Sequence, residues 1–388
     1  MPLRLGVLST YPSTPCGIAT FSAALVSHLL AAGTDVGVVR LVDEPEPSVP
    51  QVVWQWVAGQ PSGARSAARA LDAYDVAVVQ HEYGIYGGTD GQDVLDLLAH
   101  LHVPVLTVLH TVLTTPTPNQ HRVLSALVDR SAALVTMTTT ARDRLIAGWD
   151  VDPARVSVIA HGAEDNRSPG TPTSRRPADG PPTVLTWGLL SEGKGIEWAL
   201  LGLAELRRHA PLPTYLVVGQ THPRVLEQQG EAYRDRLVAM VRDLDLAGSV
   251  RFDSRYLPGA DLRAVVRDAD VVLLPYDSRE QVTSGVLTEA VAAGKPVVST
   301  GFPHAVELLS SGAGLLVPQR DPGAIAAALG QVLTVDGVAE AMAAEARRLA
   351  DSLLWPAVAE QYVALAASVQ DVALQDVALQ DVALQTAV

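Results

Sequence analysis

Residues 183–196 read Thr-Val-Leu-Thr-Trp-Gly-Leu-Leu-Ser-Glu-Gly-Lys-Gly-Ile. An apolar run of strand length enters a loop that holds three glycines, and a helix-period segment follows Gly195. A continuous apolar run suits a strand covered on both faces, and a helix directly after it is typical of a βαβ unit. The stretch therefore predicts a parallel sheet, with a glycine-rich loop at the carboxyl end of one strand.

The same alternation of apolar runs and amphipathic segments continues in both directions. Predicted strands lie at 3–9, 36–42, 75–80, 103–109, 132–136 and 156–160, and then at 183–187, 214–218, 249–252, 271–275, 296–300 and 314–317. Helix-period segments such as 18–30 and 92–101 separate them. The predicted fold class is α/β, with two Rossmann-like, doubly wound parallel-sheet domains.

A polar segment rich in proline and glycine interrupts the pattern in the middle of the chain. We therefore predict an N-terminal Rossmann-like domain at 1–164, a hinge linker at 165–181 and a C-terminal Rossmann-like domain at 182–352, with a terminal helix at 353–370 that packs back toward the N-terminal domain. Residues 371–388 contain three copies of Asp-Val-Ala-Leu-Gln. A period of five builds no fixed apolar face, so we predict a low-complexity tail outside the chemistry.

Composition narrows the class of protein. The 388 residues are 48% apolar, which suffices for two cores, and the formal net charge of −14 argues against a nucleic-acid or anionic-membrane surface. The single cysteine, Cys16, excludes an intrachain disulfide and fits a reducing compartment. The sequence shows no signal peptide and no spanning apolar run, so we expect a cytoplasmic protein. Its two lysines are Lys194 and Lys295, and we expect Lys295 to be a surface residue.

The loop around Lys194 has the features of a phosphate site. Glycines let the backbone approach a ligand closely, the start of the following helix offers N–H groups, and an ammonium group suits phosphate. The spacing differs from that of a Walker loop. The alternative is an exposed lysine in a turn.

Residues 273–296 show a second candidate anion site. The predicted strand ends at Pro275, and Ser284 is placed to cap a helix that opens with Gly285. The positive end of that helix favours an anion. Glu289 lies about a turn and a half inside the helix, where it could reach a ligand over the carboxyl edge of the sheet or remain a solvated helix glutamate.

The first half offers a loop after the first strand, which includes Gly17 but lacks the dinucleotide-binding fingerprint. His81 and His110 each follow a strand at its carboxyl end, where a histidine is either a ligand contact or a satisfied structural residue. The Asp-Ala-Asp sequence at 268–270 precedes a strand, far from the carboxyl edge, and no zinc-binding motif occurs. We therefore expect no metal site.

Together these features resemble the retaining glycosyltransferases of the GT-B fold, family 4, over most of residues 3–365. The family's Gly-Arg-Leu-x-x-x-Lys-Gly motif aligns with residues 188–195, and its glutamate pair aligns with Gln281 and Glu289. A family histidine at a strand end matches His110, and His161-Gly162 stands where the family has Asn-Gly. The GT-B fold places two Rossmann-like domains on either side of a cleft.

The resemblance implies roles for individual residues. Lys194 would pair with the diphosphate of a nucleotide-sugar donor, Ser284 and Gly285 would offer backbone N–H groups to it, and Glu289 would bind the ribose. The catalytic assignments are His110, Lys194 and Gln281, with His110 near the donor sugar. The donor-binding assignments are Gly17, Gly188, Lys194, Glu280, Gln281, Ser284, Gly285 and Glu289. We assign acceptor binding to His81 and Tyr83.

Two positions depart from the family pattern. Leu189 stands where the family has arginine, which leaves Lys194 with more of the phosphate charge to balance. Gln281 replaces the first glutamate of the pair, with Glu280 beside it. Either the register shifts so that Glu280 serves, or the donor sugar differs from the commonest ones.

The function implied is transfer of a sugar from a nucleoside diphosphate to an acceptor hydroxyl, with retention at the anomeric carbon. No metal or other cofactor is expected. The partners expected are the nucleotide-sugar donor and a small-molecule, glycan or lipid-linked acceptor, with no nucleic acid and no transmembrane segment. The alternatives are a non-catalytic scaffold subunit that binds nucleotide sugars, and a sugar-nucleotide epimerase on the same fold.

Overall fold

The computed structural model describes residues 2–167 and 180–386. Most of the predicted linker, at 168–179, and the last two residues lie outside the described residues. The chain divides into two compact units. Unit 1 comprises Met1–Gly162 and Trp355–Val388, and unit 2 comprises Ala163–Leu354.

Unit 1 alternates strands and helices. Its strands are β1 (Arg4–Thr10), β2 (Asp35–Val42), β3 (Val52–Val57), β4 (Val76–His81), β5 (Val105–Leu109), β6 (Ala133–Thr136) and β7 (Val156–Val158). Its helices are α1 (Gly17–Ala31), α2 (Pro61–Leu71), α3 (Val94–Leu98), α4 (Pro118–Arg130) and α5 (Thr139–Gly148), and the last helix of the chain, α14 (Trp355–Thr386), also belongs to it.

The described strands of unit 1 form one parallel sheet in the order β3-β2-β1-β4-β5-β6-β7. The chain builds outward from β1 on one side and then returns to place β4 on the other. The crevice between the carboxyl ends of β1 and β4 is the topological switch point, where open α/β sheets bind ligands.

Helix α14 completes the core of unit 1. Trp355 and Tyr362 are buried with Phe21 and Leu25 of α1 and with strand residues such as Val7. A Cβ at Gly162 would lie 2.1 Å from the Trp355 ring, so the indole occupies the space that a side chain there would need. The glycine of the His-Gly pair is therefore explained by packing.

Unit 2 has strands β8 (Thr183–Trp187), β9 (Thr214–Val218), β10 (Val250–Asp253), β11 (Val271–Leu274), β12 (Val297–Thr300) and β13 (Gly314–Val317). Its helices are α6 (Ile196–Leu206), α7 (Pro223–Gln229), α8 (Ala232–Asp243), α9 (Gly259–Asp268), α10 (Gly285–Ala292), α11 (Pro303–Leu309), α12 (Pro322–Thr334) and α13 (Val338–Leu353). The described strands form a parallel sheet in the order β10-β9-β8-β11-β12-β13.

The topological switch point of unit 2 lies between β8 and β11. These strands pair directly, with Val184 opposite Val271, while the chain leaves β8 toward one side of the sheet and β11 toward the other. The loops 188–195 and 275–284 therefore meet at the carboxyl edge. The prediction of two parallel-sheet α/β domains is confirmed.

Two elements differ from those predicted. Strand β3 was not predicted; it is an edge strand on which Val53 and Trp54 are exposed. Helix α14 continues to Thr386 and includes most of the predicted low-complexity tail. Alanine, leucine and glutamine favour helix, so a helix can propagate through a repeat that has no apolar face.

No single helix in the part of the chain that the structure describes has the length and apolar content needed to cross a membrane. Helices α12 and α13 meet that test only as a pair, across a bend of 92°.

Candidate functional site

The switch point of unit 2 gathers the sequence-predicted donor residues. Gly188 and Lys194 lie in the loop after β8, and Glu280 and Gln281 lie in the loop after β11. The start of α10, with Ser284 and Gly285, follows that second loop, and Glu289 lies further along the helix. Residues separated by about ninety positions in sequence thus share one edge of the sheet.

The two loops are fixed to each other on both sides of Lys194. The Asp277 N–H donates to the carbonyl oxygen of Gly193 at 3.1 Å. Gly195 has a φ of +62°, and a Cβ there would lie 2.0 Å from the carbonyl oxygen of Pro275. Because a larger residue would clash with this backbone, the glycine allows the loops to approach closely.

The Lys194 ammonium lies near the loop glycine and the first turn of α10. Its Nζ lies 4.3 Å from the centroid of the Tyr276 ring. A Cβ built on Gly188 would lie 3.9 Å from the same Nζ and 3.6 Å from the Val286 side chain. Among the ion pairs of the described residues none involves Lys194, so its positive charge has no carboxylate partner.

The start of α10 presents unused backbone donors. The Ser284 hydroxyl caps the helix by accepting the Leu287 N–H at 3.3 Å. For the described residues, the structure records no acceptor for the N–H groups of Gly285 and Val286. These donors and the helix dipole favour an anion at this position.

The structure corrects the role expected of the Ser284 backbone. Its N–H donates to Nδ1 of His304 at 2.8 Å, inside the protein, so it does not point to a phosphate. His304 is buried at the start of α11, and because its Nδ1 accepts this bond, the proton of the neutral ring lies on Nε2. The anion-binding donors therefore begin at Gly285.

The Glu289 carboxyl is half-buried and strongly perturbed. Burial raises its pKa to about 7, with a smaller upward contribution from Glu164. A hydrogen bond from Trp187 and the charge of Arg263 act in the opposite direction. Near neutral pH this carboxyl therefore exists in both its neutral and its ionised forms.

The loop after β11 carries further polar groups. The Gln281 side chain donates to the carbonyl oxygen of Thr283 at 3.1 Å, which orients its amide within its own loop. Glu280 beside it is half-buried. Asp277 forms a two-pronged ion pair with Arg320, with Nε at 2.8 Å from both carboxylate oxygens. The Arg320 charge is thus already balanced, in contrast to that of Lys194.

Sequence reasoning missed three side chains at this edge. Tyr276 and His304 follow β11 and β12 within a few residues, so the strand-end rule that selected His110 would also have selected them. His222 follows β9, and burial, together with the nearby charges of Arg224 and Lys194, lowers the pKa of its imidazole.

Lys295 is not the surface residue that the sequence predicts. Its Nζ donates to the carbonyl oxygens of Arg267 and Ala269, at the end of α9. Burial lowers the pKa of this amine, and the amine neutralises the negative end of a helix.

Asp270 accepts the Thr183 N–H at 2.8 Å. Within the described ranges, no three histidine, cysteine or acidic side chains cluster as a metal site would require.

In unit 1, Gly17 opens α1 at the switch point. The backbone is exposed there, and a Cβ at residue 17 would meet nothing within 4 Å. Neither crowding nor a left-handed backbone therefore demands glycine. The position is open to a ligand at the positive end of a helix.

His110 lies in an aromatic cluster at the same edge. It contacts Phe21 edge-on at 5.0 Å, and Phe21 also packs against His161 and Trp355. The His110 Nε2 bonds to the side-chain oxygen of Gln80 at 2.8 Å. Burial, and then the neighbouring histidines, lowers the pKa of His110 to about 3, so its ring is neutral at physiological pH.

His81 and Tyr83 do not present accessible atoms for the acceptor binding that was expected of them. The His81 ring is 0% exposed, packs edge-on against Tyr83, and has a pKa lowered by burial to about 4. Neither its two ring nitrogens nor the Tyr83 hydroxyl has a hydrogen-bond partner among the described residues. His81, the last residue of β4, and Tyr83 are therefore both buried within the unit.

Comparison with known proteins identifies both halves of the chain. Residues 15–167 match the family model described as Glycosyltransferase Family 4, and residues 181–335 match the one described as Glycosyl transferases group 1.

Among curated proteins, glycogen synthase of Mycobacterium tuberculosis is 30% identical over 241 residues, which is 62% of this chain and 55% of that protein. D-inositol 3-phosphate glycosyltransferase of Corynebacterium diphtheriae is 34% identical over 261 residues, covering 64% of this chain and 59% of that protein. The chain thus spans a little over half the length of these relatives.

Two solved structures show the same fold. Anabaena Alr3699/HepE, in complex with UDP and glucose, aligns with a TM-score of 0.73 at 17% identity and covers 94% of this chain and 100% of its own. Sucrose-phosphate synthase from Thermosynechococcus elongatus aligns with a TM-score of 0.75 at 20% identity, covering 94% and 98%.

Proposed function

The chain belongs to the GT-B glycosyltransferases, with a family 4 domain followed by a group 1 domain, and we propose that it transfers a sugar from a nucleoside diphosphate to an acceptor hydroxyl. The proposal assigns donor binding to the switch point of unit 2. Acceptor binding is assigned to unit 1, in which Gly17 remains a predicted donor contact and His110 a predicted catalytic residue near the donor sugar.

One observation carries the proposal. The Lys194 ammonium, without a carboxylate partner, lies beside Gly188 and the first turn of α10, whose leading N–H groups have no acceptor among the described residues. A cation and a helix start that face the same space form a site for a phosphate group. Alr3699/HepE was crystallised in complex with UDP, which supports a nucleotide as the ligand of this fold.

Lys194 and the start of α10 would act on the leaving group of the reaction, the nucleoside diphosphate. As the bond between the sugar and the diphosphate breaks, negative charge grows on the leaving phosphate oxygen. Lys194 and the donors from Gly285 onward are already oriented, so they stabilise that charge more strongly in the transition state than in the bound donor. Because Leu189 replaces the family arginine, Lys194 carries most of this stabilisation.

Glu289 is proposed to bind the ribose. A carboxylate accepts hydrogen bonds from two hydroxyl groups at once, and the ribose of a nucleotide provides such a pair. The neutral form of a carboxyl offers less acceptor capacity. With its pKa raised to about 7, Glu289 would lose a proton on binding, because the hydroxyls favour the ionised form.

We further propose retention of the anomeric configuration. The match to the family 4 model supports it. The anomeric configuration of the product, read by proton NMR, tests this step.

The decisive experiment is a thermal-shift panel of UDP, GDP, ADP and their sugar conjugates, with Lys194→Ala as the matched variant. A ligand that binds only the folded protein raises its melting temperature. We expect one nucleoside diphosphate to stabilise the wild type and to have little effect on the variant. If no compound in the panel shifts the wild type, the proposed donor site is refuted.

The replacement of a family glutamate by Gln281 favours one second candidate, a non-catalytic subunit that binds nucleotide sugars. The Gln281 amide already donates a hydrogen bond to the Thr283 carbonyl oxygen, within its own loop. Both candidates predict the thermal shift, but only an enzyme consumes the donor. Release of nucleoside diphosphate by the purified protein, with and without acceptors, separates them.

A further inference from the structure

The ring of Tyr276 forms the floor under the Lys194 ammonium. The Nζ lies 4.3 Å from the ring centroid, within the range of a cation–π contact. The loops that carry the two residues are fixed beside this contact by the bond between Asp277 and Gly193. The backbone segments that carry the two side chains are therefore held close together.

The Tyr276 ring is itself held rigidly. It is 1% exposed and stacks on Phe302 at 5.3 Å between ring centroids, with 21° between the ring planes. The Tyr276 carbonyl oxygen accepts the Thr300 hydroxyl at 2.6 Å. The hydrogen bond and the burial hold Tyr276 in place, and Phe302 is one ring that packs against it.

The Tyr276 hydroxyl has no role in these contacts. It is buried and has no hydrogen-bond partner among the described residues. A buried hydroxyl without a partner stabilises neither the fold nor a neighbouring charge. The part of the side chain that acts on Lys194 is therefore its aromatic face.

We propose that Tyr276 is a positioning residue that holds the Lys194 ammonium over its ring, so that the lysine is ordered but keeps its charge available for the donor phosphate. A carboxylate would order the ammonium equally well but would neutralise it and compete with the phosphate. Arg320, paired with Asp277, shows that alternative in the neighbouring loop. An aromatic face attracts the cation without being an anion, so the phosphate has no carboxylate to displace when it binds.

The inference rests on the proposed function and is tested with inorganic pyrophosphate, a probe that needs no knowledge of the base or sugar. Tyr276→Phe keeps the ring face and removes only the unpaired hydroxyl, whereas Tyr276→Leu removes the ring. Phe302→Leu is the matched control, because it removes the other ring of the stack and leaves the face under Lys194 in place. Calorimetry measures pyrophosphate affinity for each variant and for Lys194→Ala.

We expect Tyr276→Phe and Phe302→Leu to bind pyrophosphate within about twofold of the wild type, and Tyr276→Leu to bind about three- to thirtyfold more weakly. Equal loss in Tyr276→Leu and Phe302→Leu would reduce the role of Tyr276 to packing and overturn the inference.

A second readout is independent of the ligand. The chain has two lysines, so protein labelled with ¹³C-lysine gives two sets of ε-methylene signals, and Lys295 serves as the internal reference. The ring current of Tyr276 should displace the Lys194 signals upfield in the wild type and in Tyr276→Phe but not in Tyr276→Leu. No upfield displacement in the wild type overturns the inference even if the variants fold poorly.

The two proposals fail in distinguishable ways. If Lys194→Ala weakens pyrophosphate binding and Tyr276→Leu does not, the donor site stands and the role of Tyr276 is refuted. If Lys194→Ala binds pyrophosphate as well as the wild type does, both the proposed phosphate site and the role of Tyr276 are refuted.

Discussion

Replacement of Glu289 by glutamine should stabilise the protein in a pH-dependent way. Burial raises the pKa of this carboxyl from 4.5 to about 7, so the folded state holds the proton more tightly than the unfolded state does. The neutral form therefore contributes stability that is fully present below about pH 4.5 and is lost as the pH rises to about 7. Glutamine reproduces the neutral form at every pH and can still accept the bond from Trp187.

The magnitude follows from the same shift. Between its ordinary pKa of 4.5 and about 7, ionisation costs the folded state about 3 kcal/mol. Glu289→Gln should therefore gain about 3 kcal/mol relative to the wild type as the pH rises from 4.5 to 8. For a unit of this size, the gain corresponds to roughly 6–12 °C in melting temperature.

The assay is thermal unfolding of the wild type and Glu289→Gln at intervals from pH 4.5 to 8. Glu340→Gln is the control, because Glu340 is an exposed carboxylate in the same unit and its replacement makes the same change in net charge. The difference in melting temperature should grow with pH for Glu289→Gln and stay nearly constant for Glu340→Gln. A constant difference in both variants would refute the buried-carboxyl reasoning.

The pH dependence of nucleoside diphosphate affinity tests the same ionisation of Glu289. If the ionised Glu289 binds the ribose, the affinity of the wild type for its nucleoside diphosphate should fall about tenfold for each pH unit below 7. In Glu289→Gln the affinity should be lower at pH 8 and should lose this slope. An identical slope in both proteins would assign the pH dependence to another group, such as the phosphate itself.

Four further predictions concern other parts of the chain. Lys194→Ala should lower kcat at least about a hundredfold with an unchanged melting temperature, because it removes charge stabilisation from the transition state; near-normal turnover would contradict this. His304→Asn, whose side-chain oxygen can still accept the Ser284 N–H at the start of α10, should bind pyrophosphate nearly normally by calorimetry, and His304→Leu should bind it more weakly; equal affinities would show that this bond does not hold the start of α10 in place for binding. Gly162→Ala should lower the free energy of unfolding by roughly 1–3 kcal/mol, and with it the melting temperature, because the added Cβ would overlap the Trp355 ring. An unchanged melting temperature would show that the indole can move. Deletion of 371–388 should change the melting temperature by less than about 2 °C, and a larger loss would show that the tail supports the fold.

The sequence predicted the sheets well where the strands are covered on both faces. Runs such as 183–187 and 271–275 contain no charged residue and are mostly apolar, so their composition identifies them. Strand β3 escaped detection because it lies at an edge, where exposed and buried side chains alternate irregularly. The helix in the tail was not predicted for a different reason, because the repeat has no apolar face. Its helix depends on the helix propensity of its residues and on the packed part of α14 that precedes it.

The site was predicted as a set of loops rather than as a set of contacts. Gly188, Lys194 and Glu289 could be placed at one edge because the order of parallel strands determines which loops meet. The partner of the Ser284 N–H could not be predicted, since His304 lies twenty residues further along the chain and reaches it through the fold. Tyr276 lies at a strand end, where the rule that selected His110 would have found it, but the contact of its ring with Lys194 depends on side-chain packing that only the folded unit defines.

Unit 1 is assembled from the two ends of the chain, and unit 2 is inserted between them. The chain leaves unit 1 after Gly162 and returns at Trp355, and within unit 2 the two crossing points run side by side, with the Ala163 N–H bonded to the Leu353 carbonyl at 2.8 Å. On the ribosome, the inserted unit is therefore complete while its host still lacks a helix. At ordinary translation rates of about 5–20 residues per second, the nascent sheet of unit 1 must wait roughly 10–40 s for the indole that fills the space beside Gly162. During that interval we expect the apolar side chains that α14 later covers, such as Phe21 and Leu25, to be accessible to chaperones and to other nascent chains.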